Sequence, residues 1–218
     1  MLDFKIKFKR QIEILGLCLA KNYEGKTLSD FAELFGVEEL TIKRDLGDLR
    51  TSGILIHSAK GRGVTVDKKP SADKIRELIK QYSALTSSGS FVEKSTALLV
   101  TRLKEEALAN MVVLQMCIDT NTMAVIDYEK DADVYERNLE IAPLLIFQTD
   151  NYWRLLTLNE GRIKQFLMNK ILHAKASPRT FKPVSKEKID DVFKYSFRSW
   201  LGEDTYSIKL SFSSYWAD

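Results

Sequence analysis

Lys43 and Arg44 stand next to Leu40 and Thr41 and interrupt an apolar repeat of Ile42, Leu46 and Leu49. Cations in such a setting donate to guanine edges or to phosphate oxygens, and an outward leucine touches a thymine methyl. At 100° per residue the three apolar side chains fall within about 60° of one another, which makes a buried stripe. Leu40, Lys43, Arg44 and Gly47 then point away from it. A second basic pair, Lys60 and Arg62, is interleaved with glycines in Ser58-Ala-Lys-Gly-Arg-Gly63. Both groups suit recognition of a polyanion better than bond making.

Short elements must carry these cations. Thr27 is a good N-cap for a helix bearing Leu28, Phe31, Leu34 and Phe35, and Gly36 supplies a tight turn before the helix of Lys43. Two short helices about a glycine, the second with an outward basic pair, read as a helix-turn-helix. Glu38, Glu39, Asp45 and Asp48 leave the second helix without net positive charge, so a helical hairpin with a solvated face is the competing interpretation. Ile54 to His57 and Val64 to Val66 are β-prone runs flanking the basic glycine-rich tip, which predicts a hairpin, a wing. Phe8, Ile12, Leu15 and Leu19 predict a support helix over Phe4 to Lys21.

Residues 5 to 69 resemble the DeoR-type winged helix-turn-helix of bacterial transcription regulators. The matching residues are Val37, Thr41-Ile42-Lys43-Arg44-Asp45-Leu46, Leu49 and Gly53, with Glu38 in place of the usual serine-type cap and Lys43 in place of an arginine. The resemblance implies duplex DNA as partner, contacted by Leu40, Thr41, Lys43, Arg44, Lys60 and Arg62.

The 218 residues, 44% hydrophobic, suffice for one or two ordinary cores. Without a signal peptide or an apolar run of transmembrane length, a cytoplasmic protein is expected, with no membrane partner. Cys18 and Cys117 sit in apolar helical contexts and read as reduced core residues. Residues 1 to 69 hold 13 Lys and Arg against 10 Asp and Glu, while the remainder balances 20 against 20, so the net +3 lies wholly in the part with the DNA-reading pattern.

Beyond Pro70 the pattern turns helical. Ser71 caps Ile75, Leu78, Ile79 and Tyr82; Thr86 to Ser90 reads as a loop; Ser95 to Leu108 and Met111 to Asp119 are further helices, a dimerisation arm or a bridge. After Thr120 six short strand-like runs follow: Met123 to Tyr128, Tyr135 to Ala142, Leu144 to Thr149, Tyr152 to Leu158, Arg162 to Met168 and Ile171 to Ala176. Their spacing suggests a small barrel. This block, about residues 111 to 180, resembles the WYL domain, a Sm-like barrel of SH3 type. The resemblance rests on Tyr128, on Arg137 before Pro143, on Trp153-Arg154-Leu155, and on Phe166 leading to Asn169-Lys170-Ile171. Trp-Arg-Leu stands for Trp-Tyr-Leu, Lys164 for an arginine, and Arg137 lies two residues early, which preserves its strand face.

The resemblance implies a ligand site formed by Tyr128, Arg137, Trp153, Arg154, Lys164 and Lys170, suited to a nucleotide or single strand. The alternative is that Tyr128 and Trp153 are core aromatics and the cations a solvated face. Phe181, Pro183, Phe193, Phe197, Trp200, Gly202 and Tyr206 to Phe212 resemble the start of the extension that follows a WYL domain, expected here to be cut short. Catalysis finds little support. His57 and His173 are too few and too separated for a triad or metal cluster, and no glycine-rich phosphate loop follows a strand. No cofactor and no metal are expected.

The sequence thus predicts an α+β protein with a winged helix-turn-helix over 1–69, a helical linker over 70–110, a WYL sensor barrel over 111–180 and an extension over 181–218. The expected function is ligand-responsive transcription regulation by a homodimer. An RNA-binding or interaction protein using the Sm-like barrel and a sugar-phosphate-responsive DeoR-type repressor are the alternatives.

Overall fold

The computed structural model describes residues 2–86, 93–149, 151–159, 161–194 and 209. Among them the chain is α+β, with seven helices, a two-stranded hairpin and a five-stranded antiparallel sheet. Residues Met1–Pro183 form one compact unit and Val184–Asp218 a second. In the second unit α7 (Lys186–Lys194) starts where the Ser185 hydroxyl accepts from the Lys188 amide. Phe197, Trp200, Gly202 and Tyr206 to Phe212 apart from Lys209 lie outside the described residues, as do four of the five positions of the Thr86 to Ser90 loop.

In the first unit α1 (Leu2–Leu19) leads to α2 (Leu28–Phe35) and α3 (Glu39–Thr51). Thr27 caps α2 in a reciprocal box with Asp30, and Gly36 ends it in the left-handed region at φ 62°. Glu38 begins α3 without a side-chain cap. Ile42, Leu46 and Leu49 are buried, as their phase requires. Asp45 is buried among them, at 1% exposure, and the Arg10 Nε donates to its Oδ2 at 2.6 Å while Gln11 donates to its Oδ1 at 3.1 Å. Gln11 also reaches Asp48, which pairs with Lys7 at 2.6 Å. These bonds fix the rotation of α3 about its axis against α1.

The strands β1 (Ile56–Ala59) and β2 (Gly63–Val66) pair with Ala59 opposite Gly63, so Lys60, Gly61 and Arg62 form the tip. A second helical group, α4 (Ala72–Thr86), α5 (Glu93–Leu103) and α6 (Glu106–Thr120), follows. The helix expected over Ser95 to Leu108 is interrupted: Lys104 adopts φ 55°, α6 starts at Glu106, and Leu108 therefore belongs to α6. Gly16 of α1 meets α6 so closely that a Cβ there would lie 2.6 Å from Val112 Cγ2.

The sheet runs β6-β5-β4-β3-β7, from β3 (Thr122–Asp131), β4 (Val134–Thr149), β5 (Tyr152–Asn159), β6 (Arg162–Leu167) and β7 (Ile171–Thr180). The two runs expected on either side of Pro143 form one 16-residue strand, because the proline sits at a register shift opposite β5, where its missing donor disrupts little. Tyr128 on β3 and Phe166 on β6 are three strand steps apart, roughly 14 Å in a flat sheet. Their rings nevertheless meet edge-on with centroids 4.8 Å apart, so the sheet is strongly curled. One continuous apolar cluster extends from Ile12 through Leu108 and Leu114 to Ile126, Leu155 and Ala174.

Burial raises the Glu13 carboxyl above its usual range, against the opposing pull of Lys9 and of the Tyr82 hydroxyl that donates to it at 2.9 Å. A folded-state value above the unfolded one favours folding at low pH, and that contribution is lost as pH rises through the folded value. Glu13→Gln, which keeps an acceptor for Tyr82, should therefore melt higher than wild type at pH 7, by on the order of 1 kcal/mol. The difference should shrink toward pH 4; a gap independent of pH in thermal melts would contradict this. Asp45→Ala strands Arg10, and urea unfolding should show a loss of about 3 to 5 kcal/mol.

Candidate nucleic-acid interface

The outward face of α3 collects what the sequence placed there. Leu40, Lys43 and Arg44 are exposed and Thr41 is half-buried. Of the four acids that neutralised this helix on paper, Asp45 is buried on Arg10 and Gln11, and Asp48, still exposed, is paired with Lys7 and Gln11. Glu38 and Glu39 stay exposed at the N-terminal end. The centre of the face is thus cationic even though the helix as a whole is not.

Beside it, Lys60 and Arg62 are exposed at the tip of the β1-β2 hairpin. The hairpin is clamped to the loop before α2. The Val64 amide donates to Lys26 O at 2.8 Å, and the Tyr23 hydroxyl donates to Val64 O at 2.6 Å. Gly63, at φ 71°, packs so closely on the Gly25 and Lys26 carbonyls that a Cβ would overlap them. Arg50, at the end of α3, donates to Ile56 O at 3.1 Å and ties helix to hairpin. Lys26, Tyr23, Gly25 and Arg10 position the surface, and none of them stood out in the sequence. Asp45 could have, since at 300° from Ile42 it lies only 40° from Leu49 at the edge of the apolar arc.

The sheet residues have varied surroundings. Trp153 is 4% exposed and its indole donates to the Thr96 hydroxyl at 3.0 Å, a core position against α5. Arg137 is exposed on β4, 2.9 Å from Asp127 and 4.9 Å over the Tyr135 ring. Burial pushes the Asp127 carboxyl up, but the Asn138 amide and the Arg137 guanidinium outweigh it, and it sits below its usual range. Lys170 donates to Lys130 O at 3.1 Å, and Lys130 pairs with Glu136 at 3.2 Å. Lys164 is exposed on the edge strand β6. Tyr128 is half-buried on Phe166; burial raises its hydroxyl, while the Leu167 backbone and the nearby Arg154 pull it down. Around Tyr128 the cations alternate with Glu129, which pairs with Arg102, and with Glu136.

Neither cysteine offers a reactive thiol, burial pushing both Cys18 and Cys117 up to about 12. Among the described residues no group of three His, Cys, Asp or Glu side chains is placed to hold a metal ion, and no helix is long and apolar enough to cross a membrane.

No family model matches the chain, and no curated protein matches it. Among solved structures it is similar to proteasome accessory factor B/C (PafBC) of Arthrobacter aurescens, at 15% identity and a TM-score of 0.29. The match covers 81% of this chain and 33% of that one, so this chain spans about a third of its length.

Proposed function

We propose that the chain is a DNA-binding transcription regulator whose residues 1–69 act as a winged helix-turn-helix. In this scheme α3 enters the major groove, with Arg44 and Lys43 donating to base edges or phosphates and Leu40 and Thr41 lying against the bases. The hairpin serves as the wing, Lys60 and Arg62 lying along the phosphate backbone. The observation that carries this is the rotation of α3, which buries Asp45 on Arg10 and leaves Leu40, Lys43 and Arg44 facing water.

The curled sheet is the WYL sensor of this regulator, a Sm-like barrel at residues 111–180 joined to the DNA-reading part by helices in 70–110. Its effector is a nucleotide or single-stranded nucleic acid, taken up near Tyr128 with Arg137, Trp153, Arg154, Lys164 and Lys170 as the candidate contacts. Arg154 is near enough to the Tyr128 hydroxyl for its charge to act on it, which supports this pair, whereas Trp153 contributes from the core. The protein is a homodimer reading a palindromic site, located in the cytoplasm, and it is not an enzyme.

Arg44→Ala should weaken binding to the preferred duplex by roughly 1 to 3 kcal/mol, whereas Lys60→Ala and Arg62→Ala should mainly flatten its salt dependence. Fluorescence anisotropy with selected duplexes measures both effects, and unchanged affinity in the Lys43→Ala, Arg44→Ala double variant would refute the role of α3. Gly63→Ala, which forces the hairpin off the Gly25 and Lys26 carbonyls, should lower affinity at least fivefold while leaving α1, α3 and α6 intact by circular dichroism. A single strand of RNA outcompeting the duplex would favour the Sm-like RNA-binding alternative.

A further inference from the structure

The loop that anchors the β1-β2 hairpin is also one wall of a cleft of about 620 Å³ between the N-terminal helices and the sheet. Its opposite wall is α6 and β7. Leu17, Leu34, Val113 and Met116 give the cleft an apolar lining, and Lys26 and Lys175 stand on it from opposite sides. The volume falls within the range of small-molecule sites, and apolar walls with a few polar groups are the usual composition of such sites. Both lysines are exposed, and neither makes an ion pair among the described residues. Of the two acids on the lining, Asp30 accepts from the Thr27 amide and hydroxyl through one oxygen and is held below its usual range by those bonds and by Lys26, while Glu24 is exposed, so the two ammonium groups stand among two carboxylates.

We propose that this cleft binds a small amphipathic organic acid, its apolar body against Val113 and Met116 and its anionic group between Lys26 and Lys175, and that occupancy stiffens the hairpin. The mechanical link is short. Lys26 O accepts from the Val64 amide, Tyr23 on the same wall donates to Val64 O, and Gly25 packs on the Arg62 carbonyl. A ligand bridging Lys26 and β7 therefore holds the segment to which the hairpin is clamped. The position is distinct from Tyr128 and its neighbours on the sheet, so the acid is a second effector. Its consequence for gene control rests on the DNA-binding role proposed above; the binding and the stiffening do not.

The probe is 8-anilinonaphthalene-1-sulfonate, an aromatic body with one anionic group, titrated by fluorescence into the full chain without DNA. Saturable binding is expected, weakened at least tenfold by Lys26→Glu with Lys175→Glu and abolished by Ala176→Trp, which fills the cleft from an exposed position on β7. Melting temperatures near wild type keep misfolding from mimicking the loss. With the probe bound, amide hydrogen exchange should slow in residues 56–66. Unchanged probe affinity in both variants, or unchanged exchange in the hairpin, overturns the proposal. Slowed exchange in a chain that binds no duplex would uphold the cleft and remove only the regulatory role, whereas a fivefold or greater shift in duplex affinity on probe binding supports both.

Discussion

The buried contact of Arg10 with Asp45 decides what the rest of the surface can do. A helix carrying three acids and three cations, with a fourth acid at its N-cap, is electrostatically ambiguous, and its function depends on which of them water meets. With Asp45 at 1% exposure and Arg10 on it at 2.6 Å, α3 has one rotation about its axis, and that rotation presents Lys43 and Arg44. Rotation of α3 by a quarter turn would leave a buried carboxylate without its partner, at a cost of several kcal/mol. The pair is better regarded as a constraint on geometry than as a source of stability, since desolvation consumes much of what the attraction returns.

The same constraint reaches further through α1. Its polar side grips α3 through Lys7, Arg10 and Gln11, while Gly16 lets α6 approach until Val112 touches its backbone. Through α6 it is linked to the sheet, where Asn110 donates to Ile171 O at 2.8 Å. The continuous core follows this path, so the elements bearing the exposed cations and the curled sheet share α1 and α6 as common support. Coupling between distant sites requires such shared elements, although sharing alone does not establish two states.

Much of this was legible in the sequence because it is local. Helical phase gave Ile42, Leu46 and Leu49, cap chemistry gave Thr27 and Gly36, and alternation gave the strands of the sheet to within a few residues. The misjudged boundaries have local causes that periodicity cannot see: a left-handed turn at Lys104 splits one apolar run, and a bulge lets Pro143 sit inside a strand. Long-range pairing was not legible. That Arg10 would neutralise Asp45, that Arg137 would face Asp127 and that Lys170 would turn to Lys130 O depend on contacts 10 to 40 residues apart in sequence, which composition and spacing do not encode.

The most direct test of the central claim is ultraviolet cross-linking of the full chain to its preferred duplex carrying 5-iodouracil, followed by peptide mapping. Cross-links should fall in residues 39–51 and 56–66, on the α3 face that Asp45 and Arg10 orient and on the hairpin beside it. Cross-links confined to residues 122–180 would mean that the sheet holds the nucleic acid and that the orientation of α3 serves another purpose.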